Sequence, residues 1–181
     1  MILVIGGSPR QLGRTQAVSS HVASTLSQLG AKVEYVNLAS MTLPIYDGSL
    51  EQNELLEVIR WRALAGQAEG FFIVTPDYHN GMSGALKNAL DYLGGSHFRH
   101  KPSAIAALAG GGKGGINALN NLRLVLRGVY SLVLPDQVVV DKHQINDQLQ
   151  ITDSAISQRV NSLAAELLTM SDLLAANRPH T

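Results

Sequence analysis

A chain of 181 residues, 45% of them hydrophobic and only 15% charged, is long enough to bury a proper core and has neither a disordered nor a fibrous composition. Lysine plus arginine number 14, as do aspartate plus glutamate, and no long run of either sign occurs; a duplex nucleic-acid binder would need a basic face. Cysteine is absent, which excludes disulfides, thiolate metal ligands and cysteine nucleophiles.

The chain opens with the apolar run Ile2-Leu3-Val4-Ile5, a strand, followed by Gly6-Gly7-Ser8-Pro9-Arg10-Gln11-Leu12-Gly13-Arg14-Thr15. That run is too short for a signal-peptide core and has no basic leader, and no apolar stretch reaches membrane-spanning length. The expectation is a soluble, cytoplasmic protein without a membrane partner. From Thr15 to Leu29, Val18, Val22, Leu26 and Leu29 recur at helical spacing, and Gly30 supplies the stop. Strand, small-residue turn and helix N-terminus, in that order, make a place for a phosphate: the first helical N–H groups lack partners and the dipole favours negative charge. Ser8 and Thr15 offer hydroxyls, and Arg10 and Arg14 offer planar donors. An ordinary turn with two solvated arginines is the plain alternative.

A short strand is predicted over Lys32 to Leu38, and a loop at Pro44 to Gly48. A helix follows from Glu51 to Gln67, with Leu55 or Leu56, Ile59 and Ala63 facing inward. Phe71-Phe72-Ile73-Val74 reads as a strand buried on both faces. It runs into the polar loop Thr75 to Gly81. Ser83 can cap a helix carrying Leu86, Leu90 and Leu93, ended by Gly94-Gly95. A fourth strand, Ser103 to Leu108, leads to Ala109-Gly110-Gly111-Gly112-Lys113-Gly114-Gly115 and a helix with Ile116, Leu119, Leu122 and Leu126. A fifth strand spans Ser131 to Val140, where Pro135 favours an edge or a strand start. The last helix covers Asp153 to Leu174.

Five strands alternating with five helices predict one α/β domain over residues 1–181, its parallel sheet covered on both faces. Five strands suit the order 2-1-3-4-5, which brings the loops after strands one, three and four to one crevice.

The first loop is no Walker A loop, because Ser8 replaces its leading glycine and Arg14 its lysine. Gly110, Gly112 and Gly115 match a dinucleotide fingerprint, but on the fourth strand; the glycines also suit backbone pressed against a flat ring, or a plain surface loop. Lys113 is compatible with a ligand contact, an intersubunit ion pair or simple exposure. Asp77, Tyr78 and His79 invite a catalytic reading, yet adjacent residues in an extended segment point apart, which disfavours a hydrogen-bonded acid–base pair. The remaining histidines lack metal spacing, and Asp136, Asp141 and Asp147 read as loop solvation. No metal site is expected.

Gly7-Ser8-Pro9-Arg10 with Gly13-Arg14-Thr15 resembles the phosphate loop of the NADPH-dependent FMN reductase family, whose fold is flavodoxin-like. Pro76-Asp77-Tyr78-His79-Asn80-Gly81, before Gly84-Ala85-Leu86-Lys87-Asn88-Ala89-Leu90-Asp91, resembles its second signature. That signature usually carries glutamate and asparagine where Asp77 and His79 stand. His79 and the run Gly110 to Asn121 are most similar to the azobenzene reductase branch of the family. The resemblance implies a flavodoxin-like three-layer sandwich. It implies FMN, with its phosphate on Ser8, Arg10, Arg14 and Thr15, its ring along Pro76, Asp77, Tyr78, His79 and Asn80, and its pyrimidine end flanked by Gly111, Gly112 and Lys113. It further implies NADPH (or NADH) as hydride donor, a small-molecule acceptor such as an azo compound or quinone, no catalytic side chain, and a homodimer or homotetramer. The helices beginning at Ser83 and Ile116 are the interface candidates, or they simply cover the sheet. The rival readings are a reductase that releases reduced flavin to a partner, and a flavodoxin-type electron carrier. Two loop arginines and zero net charge disfavour the carrier.

Overall fold

The computed structural model describes residues 1–111 and 114–177. Its central feature is a five-stranded, wholly parallel sheet in the order β2-β1-β3-β4-β5. The strands are β1 (Ile2–Gly6), β2 (Val33–Asn37), β3 (Gly70–Pro76), β4 (Pro102–Ala109) and β5 (Leu132–Asp141). Every residue of β1, β3 and β4 is buried. Alternate side chains of these strands feed two separate apolar layers. Leu3, Ile5, Phe71, Ile73, Ile105 and Ala107 face one layer. Ile2, Val4, Phe72, Val74, Ala104 and Ala106 face the other. Their continuous apolar runs are therefore what a doubly covered parallel strand requires.

Six helices, among the described residues, cover the sheet: α1 (Arg14–Gln28), α2 (Leu56–Gln67), α3 (Gly84–Asp91), α4 (Gly95–Phe98), α5 (Ile116–Gly128) and α6 (Ser154–Ala176). Val18, Val22 and Leu26 of α1 pack with Val160, Leu163 and Leu167 of α6 on one face. α2, α3, α4 and α5 cover the opposite face through Trp61, Leu86, Phe98 and Leu122. The helix stop at Gly30 is present, with φ +87° there, and the Ala31 N–H reaches back to the Leu26 carbonyl at 3.0 Å. Ser83 caps α3 by accepting the Leu86 N–H at 3.0 Å.

Three local expectations are corrected. The helix predicted over 51–67 is broken: a 3-10 turn, Glu51–Glu54, precedes α2, and Leu55 between them is extended. Its inward face also differs, since Leu56 is 56% and Ile59 48% exposed while Val58, Trp61 and Ala65 are buried. This stretch is apolar around most of its circumference, so its own pattern leaves the buried face open. The large Trp61 indole settles it, donating Nε1–H to the Ala89 carbonyl of α3 at 2.8 Å. Second, Gly95 opens the one-turn α4 rather than merely ending α3. There His97 is half-buried and its Nδ1 accepts the Gly94 N–H at 3.1 Å; burial first, then the Lys101 and Arg62 charges, push its pKa down. Third, Asp141 is buried rather than a solvated loop acid, and it caps the 3-10 turn Lys142–Gln144. Pro135 lies on β5, an edge strand, next to the register shift that sets Ile105 opposite Gln137.

Candidate functional site

Because all strands are parallel, every strand-to-helix loop emerges at the same edge of the sheet. There the loops after β1, β3, β4 and β5 surround a cavity of about 440 Å³. That volume lies within the roughly 300–1,000 Å³ of ordinary small-molecule sites. Ser8, Arg10, Arg14, Thr15, Pro76, Asp77 and Tyr78 all line it. The structure thus brings seven residues from two distant stretches of the chain, 8–15 and 76–78, to one cavity. His79 and Asn80 sit exposed on the turn beyond that wall, and Gly111 is exposed beside its Gly110 edge. Gly112 and Lys113 fall outside the described residues.

One end of the cavity is the N-terminus of α1. Its N-cap is Gly13, no side chain caps it, and its first turn contains no acid. No side-chain cap or first-turn acid therefore competes for the positive dipole end, although the Gln16 N–H is spent on the Gly13 carbonyl at 2.9 Å. Close approach comes from the chain before it: the Gly7 N–H donates to the Val74 carbonyl at 2.8 Å, and a Cβ on Gly7 would lie 2.9 Å from that oxygen. Ser8 and Thr15 are each only 4% exposed, so their positions are set by the fold, whereas the side chains of Arg10 and Arg14 reach into solvent. Ser8 Oγ accepts the Arg10 N–H at 3.2 Å and lies 3.5 Å from the Tyr78 hydroxyl. The Arg10 guanidinium carbon stands 5.4 Å from the Tyr78 ring centroid. Buried hydroxyls, a helix N-terminus without a side-chain cap and two exposed guanidiniums form a donor set suited to a phosphate.

The other end is built from backbone. Residues 78–81 form a tight two-residue hairpin in which Tyr78 and Gly81 exchange N–H···O bonds of 2.9 and 3.1 Å. Its central residues, His79 and Asn80, have φ of 55° and 66°, the left-handed signs a type I′ turn demands. The Asp77 carboxylate secures it: Oδ1 accepts the Asn80 N–H at 2.9 Å and Oδ2 the Gly115 N–H at 2.6 Å. The Asn117 amide adds a 3.2 Å bond to Asn80 Oδ1. Asp77 is therefore engaged with backbone donors and is not the partner of an imidazole at His79. Below the turn, Ser83 donates to the Gly7 carbonyl and ties the two loops together. This hydrogen-bonded hairpin stands behind Pro76, Asp77 and Tyr78, which form the cavity wall next to the phosphate-type end.

Sequence reasoning missed the fourth wall. Lys142, Asn146, Asp147 and Leu149, which follow β5, also line the cavity. The only signal for them was topological: strand polarity puts the loop after β5 at this same edge, where it is folded back by the Ile145–Ile151 bridge, the Thr152 N–H to Gln144 carbonyl bond of 2.8 Å and the 2.9 Å bond from Gln144 Nε2 to Asp153. Asp147 belongs to the cavity wall, not merely to a solvated loop.

Residues 1–144 match the family model described as NADPH-dependent FMN reductase. The chain belongs to that family. It is 47% identical over 146 residues to the NADPH azoreductase of Bacillus sp. strain OY1-2, covering 81% of this chain and 79% of the relative. With the FMN-dependent NADPH-azoreductase of Staphylococcus saprophyticus the identity is 30% over 143 residues, with 75% and 74% covered. Among solved structures, an NADH:FMN oxidoreductase in its apo form superposes with a TM-score of 0.78 over 92% of this chain and 87% of that one, at 19% identity. The flavoenzyme NAD(P)H:(acceptor) oxidoreductase FerB of Paracoccus denitrificans superposes with a TM-score of 0.73 over 97% of both chains, at 20% identity. These two likenesses establish the shared flavodoxin-like fold. Asn146, Asp147 and Leu149 lie past the matched stretch, so part of the cavity wall is outside the region the family model describes. No described helix is long and apolar enough to cross a membrane.

Proposed function

We propose that this chain is an FMN-dependent NADPH oxidoreductase that passes a hydride to azo compounds or quinones. The observation that carries the reading is the cavity's two-ended build: a helix N-terminus without a side-chain cap, with Arg10 and Arg14, at one end, and the wall of Pro76, Asp77 and Tyr78, backed by the hairpin, at the other. FMN has a phosphate and a flat ring, and this arrangement offers a partner to each. The 47% identical NADPH azoreductase and the FMN-dependent NADPH-azoreductase supply the reaction class.

When bound, FMN supplies the redox chemistry, accepting two electrons and a proton from NADPH and delivering them to the acceptor. The protein's share is binding and orientation. Ser8, Arg10, Arg14 and Thr15 hold the phosphate, the arginines neutralising its charge and the buried hydroxyls fixing its place. Pro76, Asp77, Tyr78, His79 and Asn80 would hold the ring, with Gly111, Gly112 and Lys113 as the candidates for its pyrimidine end. No side chain is needed as acid or base, and solvent reaches the exposed His79 side of the turn. The molecule works as a single-domain homodimer or homotetramer in the cytoplasm. Ile116 and Leu124 of α5, 48% and 61% exposed, support that helix as an interface element, whereas Leu86, Ala89 and Leu90 of α3 are spent on the core.

The test is the visible spectrum of the purified protein before and after anaerobic NADPH. The expected result is a flavin spectrum that bleaches, then recovers when an azo dye or quinone is added. Bound flavin that neither NADPH nor NADH bleaches would point to an electron carrier, and loss of reduced flavin into a filtrate to a flavin-releasing reductase. Failure to bind supplied FMN would overturn the reading.

A further inference from the structure

Asp77 receives two N–H donors from two different loops. Its Oδ1 binds Asn80 N–H in the loop after β3, and its Oδ2 binds Gly115 N–H, at the cap of α5, in the loop after β4. These 2.9 and 2.6 Å bonds are charge-assisted, and such bonds are the stronger kind. A Cβ on Gly115 would lie only 2.7 Å from Val139 Cγ1, so the backbone that donates to Oδ2 is packed closely against β5, while a Cβ on Gly114 would sit at ordinary contact distance from the carboxylate. The first turn of α5 adds a second link to the turn after β3, from Asn117 to Asn80. Asp77 itself borders the cavity.

We propose that Asp77 is a positioning residue that ties the turn after β3, at Asn80, to the start of α5, at Gly115, and so orders the cavity border beside the ring of a bound flavin. The inference rests on the FMN reading above. Its logic is one of pre-organisation: loops ordered before binding do not charge their ordering entropy to the ligand. The clamp's two hydrogen bonds lie at the ring end; the phosphate end has its own elements, the Gly13 cap and Ser8, and meets the hairpin only through Tyr78 and the Ser83–Gly7 bond.

Asp77→Asn tests this, because an amide can accept only one of the two N–H groups and turns an N–H donor toward the other. Three readouts are taken on the full chain: amide exchange at Gly115 without ligand, and the affinities of FMN and of riboflavin, which lacks the phosphate. The expected outcome is faster exchange at Gly115 and weaker binding of FMN and riboflavin by the same factor, on the order of tenfold. The FMN-to-riboflavin affinity ratio then stays at its wild-type value, and Asp77→Glu, which keeps both acceptors, recovers part of the loss. Unchanged Gly115 exchange and unchanged flavin affinity overturn the clamp. A collapsed ratio overturns the positioning role, because the damage would then have spread to the phosphate end. Wild-type protein that binds neither flavin defeats the FMN reading and the ring-wall role together, while Gly115 exchange still reports on the two hydrogen bonds themselves.

Discussion

The two ends of the cavity are built on opposite plans. At the α1 end the polar groups are left open: a glycine cap, no first-turn acid, and two arginines whose charges point outward. At the hairpin end they are closed upon one another: Asp77 on Asn80 and Gly115, Asn80 on Asn117, Tyr78 on Gly81. An open end waits for charge from a ligand and gains from binding it. A closed end offers shape and gains little from any single polar contact. The difference teaches how mutational effects should arise: through direct contacts with the ligand at the first end, and through the order of the wall, felt in folding and in pre-organisation for binding, at the second.

The largest effect is expected at the closed end. Gly115 has φ +94°, and an alanine Cβ there would meet Val139 Cγ1 at 2.7 Å. Gly115→Ala should cost about 2–4 kcal/mol of stability, the sum of a left-handed backbone and overpacking. Urea unfolding would show it as a lowered midpoint; a wild-type midpoint would mean that the loop yields freely and the closed end is not rigid. At the open end the effect should move to affinity. Arg10→Ala or Arg14→Ala should weaken FMN binding by roughly 1.5–3 kcal/mol for a charge-assisted contact, with stability close to wild type. Flavin fluorescence titration decides it, and unchanged affinity in both variants would sink the proposed phosphate end. The smallest effect is expected at His79, held at φ 55° on the turn. Asparagine tolerates that conformation better, so His79→Asn should raise stability by about 0.5–1 kcal/mol. A thermal melt lower than wild type would show that the imidazole contributes something the turn geometry does not explain.

Much of this layout was open to reading because the relevant signals are local. Val18, Val22 and Leu26 face the core as their spacing requires, Gly30 and Ser83 stop and start their helices, and the unbroken Phe71–Val74 run marks a strand covered twice. The phosphate-type loop was visible for the same reason, since a strand, a glycine turn and a helix start are contiguous. Other features were hidden because their cause lies elsewhere in the chain. The inward face of α2 is chosen by the fit of Trp61 against α3, and the type I′ geometry at His79 by Asp77 and Gly81 acting together. The wall formed by Lys142, Asn146 and Leu149 has no motif of its own.

By itself, then, the amino-acid order determined the alternation of strands and helices, the order 2-1-3-4-5 and the placing of three unusual loops at one edge. Periodicity and caps act within a few residues, and parallel polarity follows from the crossovers. Only the tertiary structure decided that Asp77 serves Gly115 rather than His79, and that the loop after β5 closes the cavity. A hydrogen bond between residues 38 positions apart depends on the register of β3 against β4 and on the packing of Gly115 against Val139, neither of which any local pattern carries.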